Sequence, residues 1–154
     1  MSQDNVEFEP KVLAFACNWC AYAAADLAGA ARVQYPSGSR IIRVMCSGMV
    51  HPSLVIEAFN GGADGVLIMG CNPGECHYQN GNDKAEARSA VIEEILSLMG
   101  LEPGRFGFVR CFSSDAERFA GIMRQTVDAL RAMGPSRPPK EDQMYSKSEP
   151  VQCL

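Results

Sequence analysis

The chain of 154 residues, with 47% apolar and 21% charged residues, has the composition of one soluble globular domain. Its net charge of −4, without a block of lysine or arginine, argues against nucleic acid as a partner. No run reaches the ~20 apolar residues that a membrane-spanning helix needs, and the polar, acidic residues 1–10 do not resemble a signal peptide. We therefore expect a cytoplasmic protein that is not attached to a membrane.

Short β-like runs alternate with amphipathic stretches, and this alternation predicts a parallel sheet with crossover helices. The predicted strands lie at 11–16, 40–45, 65–69 and 106–110. The predicted helices lie at about 21–31, 52–60 and 84–99, with a fourth that opens on a capping-box pattern at 114–117. The segment 70–82 is glycine-rich and polar, and is predicted to be a functional loop.

The expected fold class is therefore α/β: a four-stranded, mainly parallel sheet with flanking helices, in a three-layer arrangement of the flavodoxin or Rossmann type. Residues 1–10 would form an N-terminal extension and 11–134 a single domain. Residues 135–154 are rich in Pro, Lys, Glu and Ser, and are expected to form an extended or disordered tail.

A cysteine stands at the end of every predicted strand. Because the carboxyl ends of parallel strands meet at one edge of a sheet, we expect these thiols to gather there, and a gathering of soft ligands indicates a metal centre. The count of seven cysteines is odd, and disulfides are rare in the cytoplasm, so a disulfide framework is a poor alternative. The strand-end cysteines are Cys17, Cys46, Cys71 and Cys111, and Cys20 and Cys76 follow closely behind the first and third.

Two short motifs carry most of this chemistry. Cys17 and Cys20 form a C-x-x-C at a strand-to-helix junction, which fits either a metal-ligand pair or a thioredoxin-like redox pair. Cys71 and Cys76 form a C-x4-C in the glycine-rich loop, where a turn at Gly74 would direct backbone amides at cluster sulfurs. Plant-type [2Fe–2S] ferredoxins use similar spacings, although here the spacings are divided between two strand ends.

The other candidates each allow two interpretations. Cys46 is either a further ligand or a small buried residue, whereas Cys111 is expected in the core and Cys153 as a spare thiol in the tail. His77 could replace a cysteine ligand, as in Rieske-type centres, but a loop histidine that bonds nearby backbone is preferred. Trp19 would either shield the site from solvent or dock a partner.

Several strings are distinctive together. They are Phe15-x-Cys17-Asn18-Trp19-Cys20, Tyr35-Pro36, the segments 40–48 and 62–66, and Gly70-Cys71-x-Pro73-Gly74-x-Cys76-His77-Tyr78. In this order, over about residues 11–134, the chain resembles the delta (D) subunit family of methyl-viologen-reducing hydrogenase, the iron–sulfur subunits that link a [NiFe] hydrogenase to heterodisulfide reductase.

The resemblance implies one [2Fe–2S] cluster that relays electrons between a hydrogenase or formate dehydrogenase and the flavin-containing A subunit of heterodisulfide reductase. In methanogenesis that oxidoreductase complex performs flavin-based electron bifurcation, and this chain would be a non-catalytic subunit without substrate turnover of its own. Trp19, Gly74 and His77 would lie around the cluster. Five cysteines are candidates for the four ligand positions. Cys17, Cys71 and Cys76 are preferred, and either Cys20 or Cys46 would be the fourth.

Two other functions use the same residues. A thiol–disulfide oxidoreductase would use the Cys17/Cys20 pair but would leave Cys46, Cys71 and Cys76 unexplained. A structural zinc module would need four nitrogen or sulfur ligands in closed tetrahedral geometry.

Overall fold

The computed structural model describes residues 8–136 of the chain. Most of the expected tail, including Cys153, therefore lies outside the described residues, as do residues 1–7 of the expected N-terminal extension. None of the helices in the described part is long and apolar enough to cross a membrane.

Within the described residues four strands form one sheet, and every pairing between neighbouring strands is parallel. The sheet order is β2-β1-β3-β4. This confirms the expected α/β class, with a sheet that is wholly rather than mainly parallel. The strands are β1 (Val12–Cys17), β2 (Ser39–Val44), β3 (Gly65–Gly70) and β4 (Phe106–Arg110).

Helices cover both faces of the sheet, because each crossover between parallel strands passes over one face. The helices are α1 (Ala21–Ala30), α2 (Pro52–Asn60), α3 (Gly81–Leu98) and α4 (Ala116–Met133), and a 3₁₀ turn spans Ser47–Met49. One core cluster lies under α1 and α4, and a second lies under α2 and α3. All six residues of the central strand β3 are buried, as its continuous apolar run predicts.

The strand order creates a switch point between β1 and β3. From β1 the chain moves to β2 on one side, and then crosses over to β3 on the other side of β1. The two crossovers leave on opposite faces, so a crevice opens beyond the carboxyl ends of β1 and β3, where open α/β sheets bind their ligands. Cys17 is the last residue of β1 and Cys71 directly follows β3.

Two helix starts differ from the sequence-based expectation. Helix α3 begins at Gly81, about one turn earlier than predicted, so the functional loop ends at Asn80. Helix α4 is capped by Asp115, whose carboxylate accepts from the Arg118 amide at 3.0 Å, whereas the capping-box pattern pointed to Ser114. The first difference matters for the site, because it places a helix N-terminus beside the cysteines.

Candidate metal centre at the carboxyl edge of the sheet

Three thiols meet at the crevice between β1 and β3. The sulfurs of Cys17, Cys20 and Cys71 lie within 4.8 Å of one another, and the Sγ atoms of Cys17 and Cys71 are 3.7 Å apart. All three side chains are buried and belong to the core cluster under α1 and α4. These residues are called the inner trio below.

Two further thiols lie on the α3 side of the same edge and are called the outer pair: Cys46, after β2, and Cys76, in the loop after β3. Their side chains are neighbours that influence each other's ionisation. Both sulfurs surround Gly81, where a Cβ atom would overlap the Cys46 sulfur and lie 3.3 Å from that of Cys76. Glycine is therefore required at the first position of α3 to leave room for two sulfurs.

The 3₁₀ turn carries Cys46 to this position. Its Gly48 packs against the backbone of Gly81, where a Cβ atom on Gly48 would approach the Gly81 oxygen to 2.8 Å. Arg88, two turns along α3, donates to the carbonyl oxygens of Gly48 and Val50 at 3.0 and 2.8 Å. These contacts hold the turn after β2 against α3, and they place Cys46 beside Cys76.

The first turn of α3 also supplies hydrogen bonds to Cys76. The Gly81 amide donates to the Cys76 sulfur at 3.2 Å, and the nearby amides of Tyr78 and Asn82 also act to lower the pKa of this thiol. Donors at a helix N-terminus favour negative charge, so this sulfur occupies a position that suits a thiolate.

The surroundings lower the pKa of two of the five thiols and raise that of the other three. A hydrogen bond from the Cys20 thiol lowers the pKa of Cys17 to about 5, and the same interaction raises the pKa of Cys20. Burial works to raise the pKa of Cys76, but its amide donors outweigh that effect and lower the pKa. Burial raises the pKa of Cys71 to about 11 and also raises that of Cys46. The inner trio and the outer pair each contain one thiol whose surroundings favour the thiolate.

Three exposed rings lie beside the site. The indole of Trp19 stacks on the His77 ring, with centroids 3.7 Å apart and planes 11° from parallel. The indole Nε1 donates to the Tyr78 hydroxyl at 3.4 Å. His77 thus stands outside the inner trio, in a ring contact that the sequence did not indicate. Gly74 lies in an exposed turn, and its φ of +77° is a left-handed conformation that glycine adopts readily.

Cys111 does not join these groups. Its side chain is completely buried in the core cluster under α1 and α4, and burial raises its pKa to about 11. Its Sγ donates to the carbonyl oxygen of Phe112 at 3.5 Å. This is the core position that the sequence predicted.

The family of the chain follows from comparing its sequence with those of known proteins. A family model described as methyl-viologen-reducing hydrogenase, delta subunit, matches residues 12–134. The chain belongs to this family. The resemblance drawn from the cysteine strings is therefore confirmed.

The relatives of this delta-family member include subunits of two kinds of enzyme, a hydrogenase and a heterodisulfide reductase. The D-type iron–sulfur subunit of the vhc F420-non-reducing hydrogenase from Methanococcus voltae is 47% identical over 128 residues, which are 83% of this chain and 89% of the relative. The D-type iron–sulfur subunit of the F420-non-reducing hydrogenase from Archaeoglobus profundus is 42% identical over 129 residues, 84% of this chain and 94% of the relative. The A subunit of the ferredoxin:CoB-CoM heterodisulfide reductase from Methanosarcina mazei is 46% identical over 126 residues, which are 82% of this chain but 16% of that relative.

The residues of the site fit an iron–sulfur group. The donor set consists of thiols, the ligands that iron–sulfur clusters use. Two sulfurs held tetrahedrally at about 2.3 Å from one metal ion lie about 3.7 Å apart, which is the separation of Cys17 and Cys71. The absence of a side chain at Gly81 leaves room for the two sulfurs of the outer pair.

Proposed function

We propose that the chain is an electron-transfer subunit that holds one [2Fe–2S] cluster at the carboxyl edge of its sheet. The observation that carries this proposal is the buried trio of thiols at the switch point, with the outer pair at the same edge of the sheet, in a family whose members include named iron–sulfur subunits. A [2Fe–2S] cluster needs four cysteine ligands, so the site has one thiol more than the cluster requires.

The geometry favours one choice of ligands. Cys17 and Cys71 form one ligand pair, because their sulfurs are already at the separation of two tetrahedral ligands. Cys46 and Cys76 form the other, because they share the space beside Gly81. Cys20 is then the fifth thiol, which donates its hydrogen bond to the Cys17 sulfur.

The bound cluster would supply a site that accepts and releases one electron at a time. The protein binds it through the four thiolates and tunes it through the amides around the Cys76 sulfur. Cys17, Cys46 and Cys71 are buried, whereas Cys76 is partly exposed. Electrons would therefore enter and leave on the Cys76 side, and no substrate turnover is expected from the chain alone.

We infer the partners from the relatives. The Methanosarcina mazei reductase protein contains a segment similar to this chain within a much longer polypeptide. In that relative the two parts lie in one polypeptide, so we infer that this chain binds, as a separate polypeptide, a protein like the rest of that relative. We propose a cytoplasmic, electron-bifurcating complex. In it, the chain passes electrons between a hydrogenase or formate dehydrogenase and the flavin-containing A subunit of heterodisulfide reductase.

The structure offers less support to the other two functions. A thiol–disulfide oxidoreductase needs a nucleophilic sulfur that its substrate can reach, but Cys17 and Cys20 are only 1% and 5% exposed. A structural zinc ion needs four ligands, but among the described residues only the three thiols of the inner trio lie within ligand distance of one another.

The electron-transfer function is tested in an anaerobic assay with purified hydrogenase and the purified flavin-containing reductase protein from the same source. We expect hydrogen-dependent reduction of the reductase flavin when this chain is present, and loss of that reduction with Cys71→Ser. Cys111→Ala is the matched control, because Cys111 is a buried core residue outside the group of thiols that lie within ligand distance of one another. Flavin reduction that proceeds equally without the chain would contradict the proposal.

A further inference from the structure

Asn82 bonds the start of the C-x4-C motif, and its neighbour in the first turn of α3 bonds the end of that motif. It is the second residue of α3 and its side chain is completely buried. The side-chain Nδ2 donates to the carbonyl oxygens of Cys71 and Asn72, at 3.3 and 2.8 Å. The backbone amide of the preceding residue, Gly81, donates to the Cys76 sulfur at 3.2 Å.

A buried asparagine at this position is costly unless its contacts serve a purpose. Its Oδ1 is one of the buried side-chain atoms without a hydrogen-bond partner within residues 8–136. Leaving such an acceptor unpaired is unfavourable, and an apolar residue would fill the space without that cost. An apolar residue could not make the two hydrogen bonds from Nδ2, so these bonds explain why an asparagine stands here.

We propose that Asn82 is a positioning residue that fixes Cys71 and Cys76 relative to each other and directs the α3 amides at the Cys76 sulfur. The two carbonyl contacts hold the start of the loop against the helix, and the helix amide meets the sulfur at the end of the loop. The consequence for the cluster rests on the proposed function, whereas the effect on the loop does not depend on it.

The first measurement is hydrogen–deuterium exchange on the reduced, metal-free protein. We expect Asn82→Ala to speed exchange of the amides of Tyr78 and Gly81 about tenfold, because the loop opens once its two anchors are lost. Asn82→Asp is the second variant. Aspartate keeps the side-chain shape and suits a helix N-terminus, so this variant is expected to fold. Its carboxylate, however, presents an acceptor to two carbonyl oxygens. We therefore expect Asn82→Asp to speed exchange of the same amides.

The second measurement uses protein that contains the cluster. Partners that support metal ligands typically cost 10- to 100-fold in metal affinity when lost, so we expect Asn82→Ala to lose iron to a chelator about tenfold faster than the wild type. Loss of amide bonds to a ligand sulfur should also move the midpoint potential to a more negative value. A change in potential is not expected from a purely structural role.

Asn80→Ala is the matched control. Asn80 is exposed, lies two residues earlier and makes no capping hydrogen bond with its side chain. It should behave as wild type in both measurements. The inference is overturned if Asn82→Ala and Asn82→Asp show wild-type exchange, or if they hold the cluster with wild-type potential and iron loss. If the wild type itself binds no cluster, the proposed function fails, and the exchange measurement alone decides the positioning role.

Discussion

Cys20 is the ligand candidate whose proposed role depends most on its neighbours. The C-x-x-C motif made it a candidate equal to Cys46, but beside Cys17 its thiol lowers the pKa of Cys17 and has its own pKa raised. Cys46 instead shares the space beside Gly81 with Cys76. The assignment of Cys20 as the fifth thiol follows from these neighbours.

This assignment predicts different results for two matched substitutions. Cys20→Ser should keep a full complement of iron, because serine can still donate a hydrogen bond to the Cys17 sulfur. Cys46→Ser should lose most of its iron, because a hydroxyl is a poor ligand for a soft metal site. Iron content after anaerobic reconstitution is the measurement. The reverse result would show that Cys20 is the fourth ligand and Cys46 the spare.

A second prediction at the residue scale concerns the space at Gly81. Gly81→Ala places a methyl group where the Cys46 sulfur lies, so that sulfur must leave the outer pair or α3 must shift. We expect less than half of the wild-type iron content. Gly121→Ala in α4 is the control, because no atom lies within 4 Å of the added methyl group. Gly121→Ala should bind iron normally and stabilise its helix by up to about 1 kcal/mol. Normal iron content in Gly81→Ala would show that the space beside Gly81 is not part of the site.

At the scale of elements, the strands followed from the sequence more closely than the helix starts. A continuous apolar run between turn residues leaves a strand little freedom, and the predicted and observed bounds of β4 coincide. Gly81 and Asn82 are poor helix formers, so the pattern assigned them to the loop. Their place in α3 depends on contacts with Cys46, Cys71 and Cys76, which are distant in sequence.

The grouping of the thiols could not be predicted for a similar reason. The sequence places cysteines at strand ends, but it does not give the sheet order β2-β1-β3-β4. That order makes β1 and β3 neighbours and brings Cys17 to Cys71. It also leaves Cys46, after the edge strand β2, to reach the site through the 3₁₀ turn and its contact with α3.

The start of α4 gives a prediction about stability alone. Asp115→Ala removes the carboxylate that accepts from the Arg118 amide, and should lower the free energy of unfolding by about 1 kcal/mol. Ser114→Ala should change it by much less, because Ser114 is exposed and is not the capping residue. Chemical denaturation of the two variants is the measurement. A larger loss for Ser114→Ala would favour the capping box that the sequence suggested.

At the scale of the whole molecule, the packed core and the thiols occupy different parts of the fold. Helices cover both faces of the sheet, and the five thiols occupy one edge. The site opens to solvent near Cys76 and the exposed rings of Trp19, His77 and Tyr78. A protein that exchanges electrons with two partners needs such an arrangement, because the cluster must be close to the surface while its ligands stay protected from water.

The central claim is the presence of one [2Fe–2S] cluster on this chain. It is tested most directly by measuring iron and acid-labile sulfide on anaerobically purified or reconstituted protein, together with electron paramagnetic resonance after reduction. We predict about two irons and two sulfides per chain, visible absorption, and a spin-½ signal from the reduced form. A colourless protein that contains zinc or no metal after anaerobic reconstitution would contradict the account.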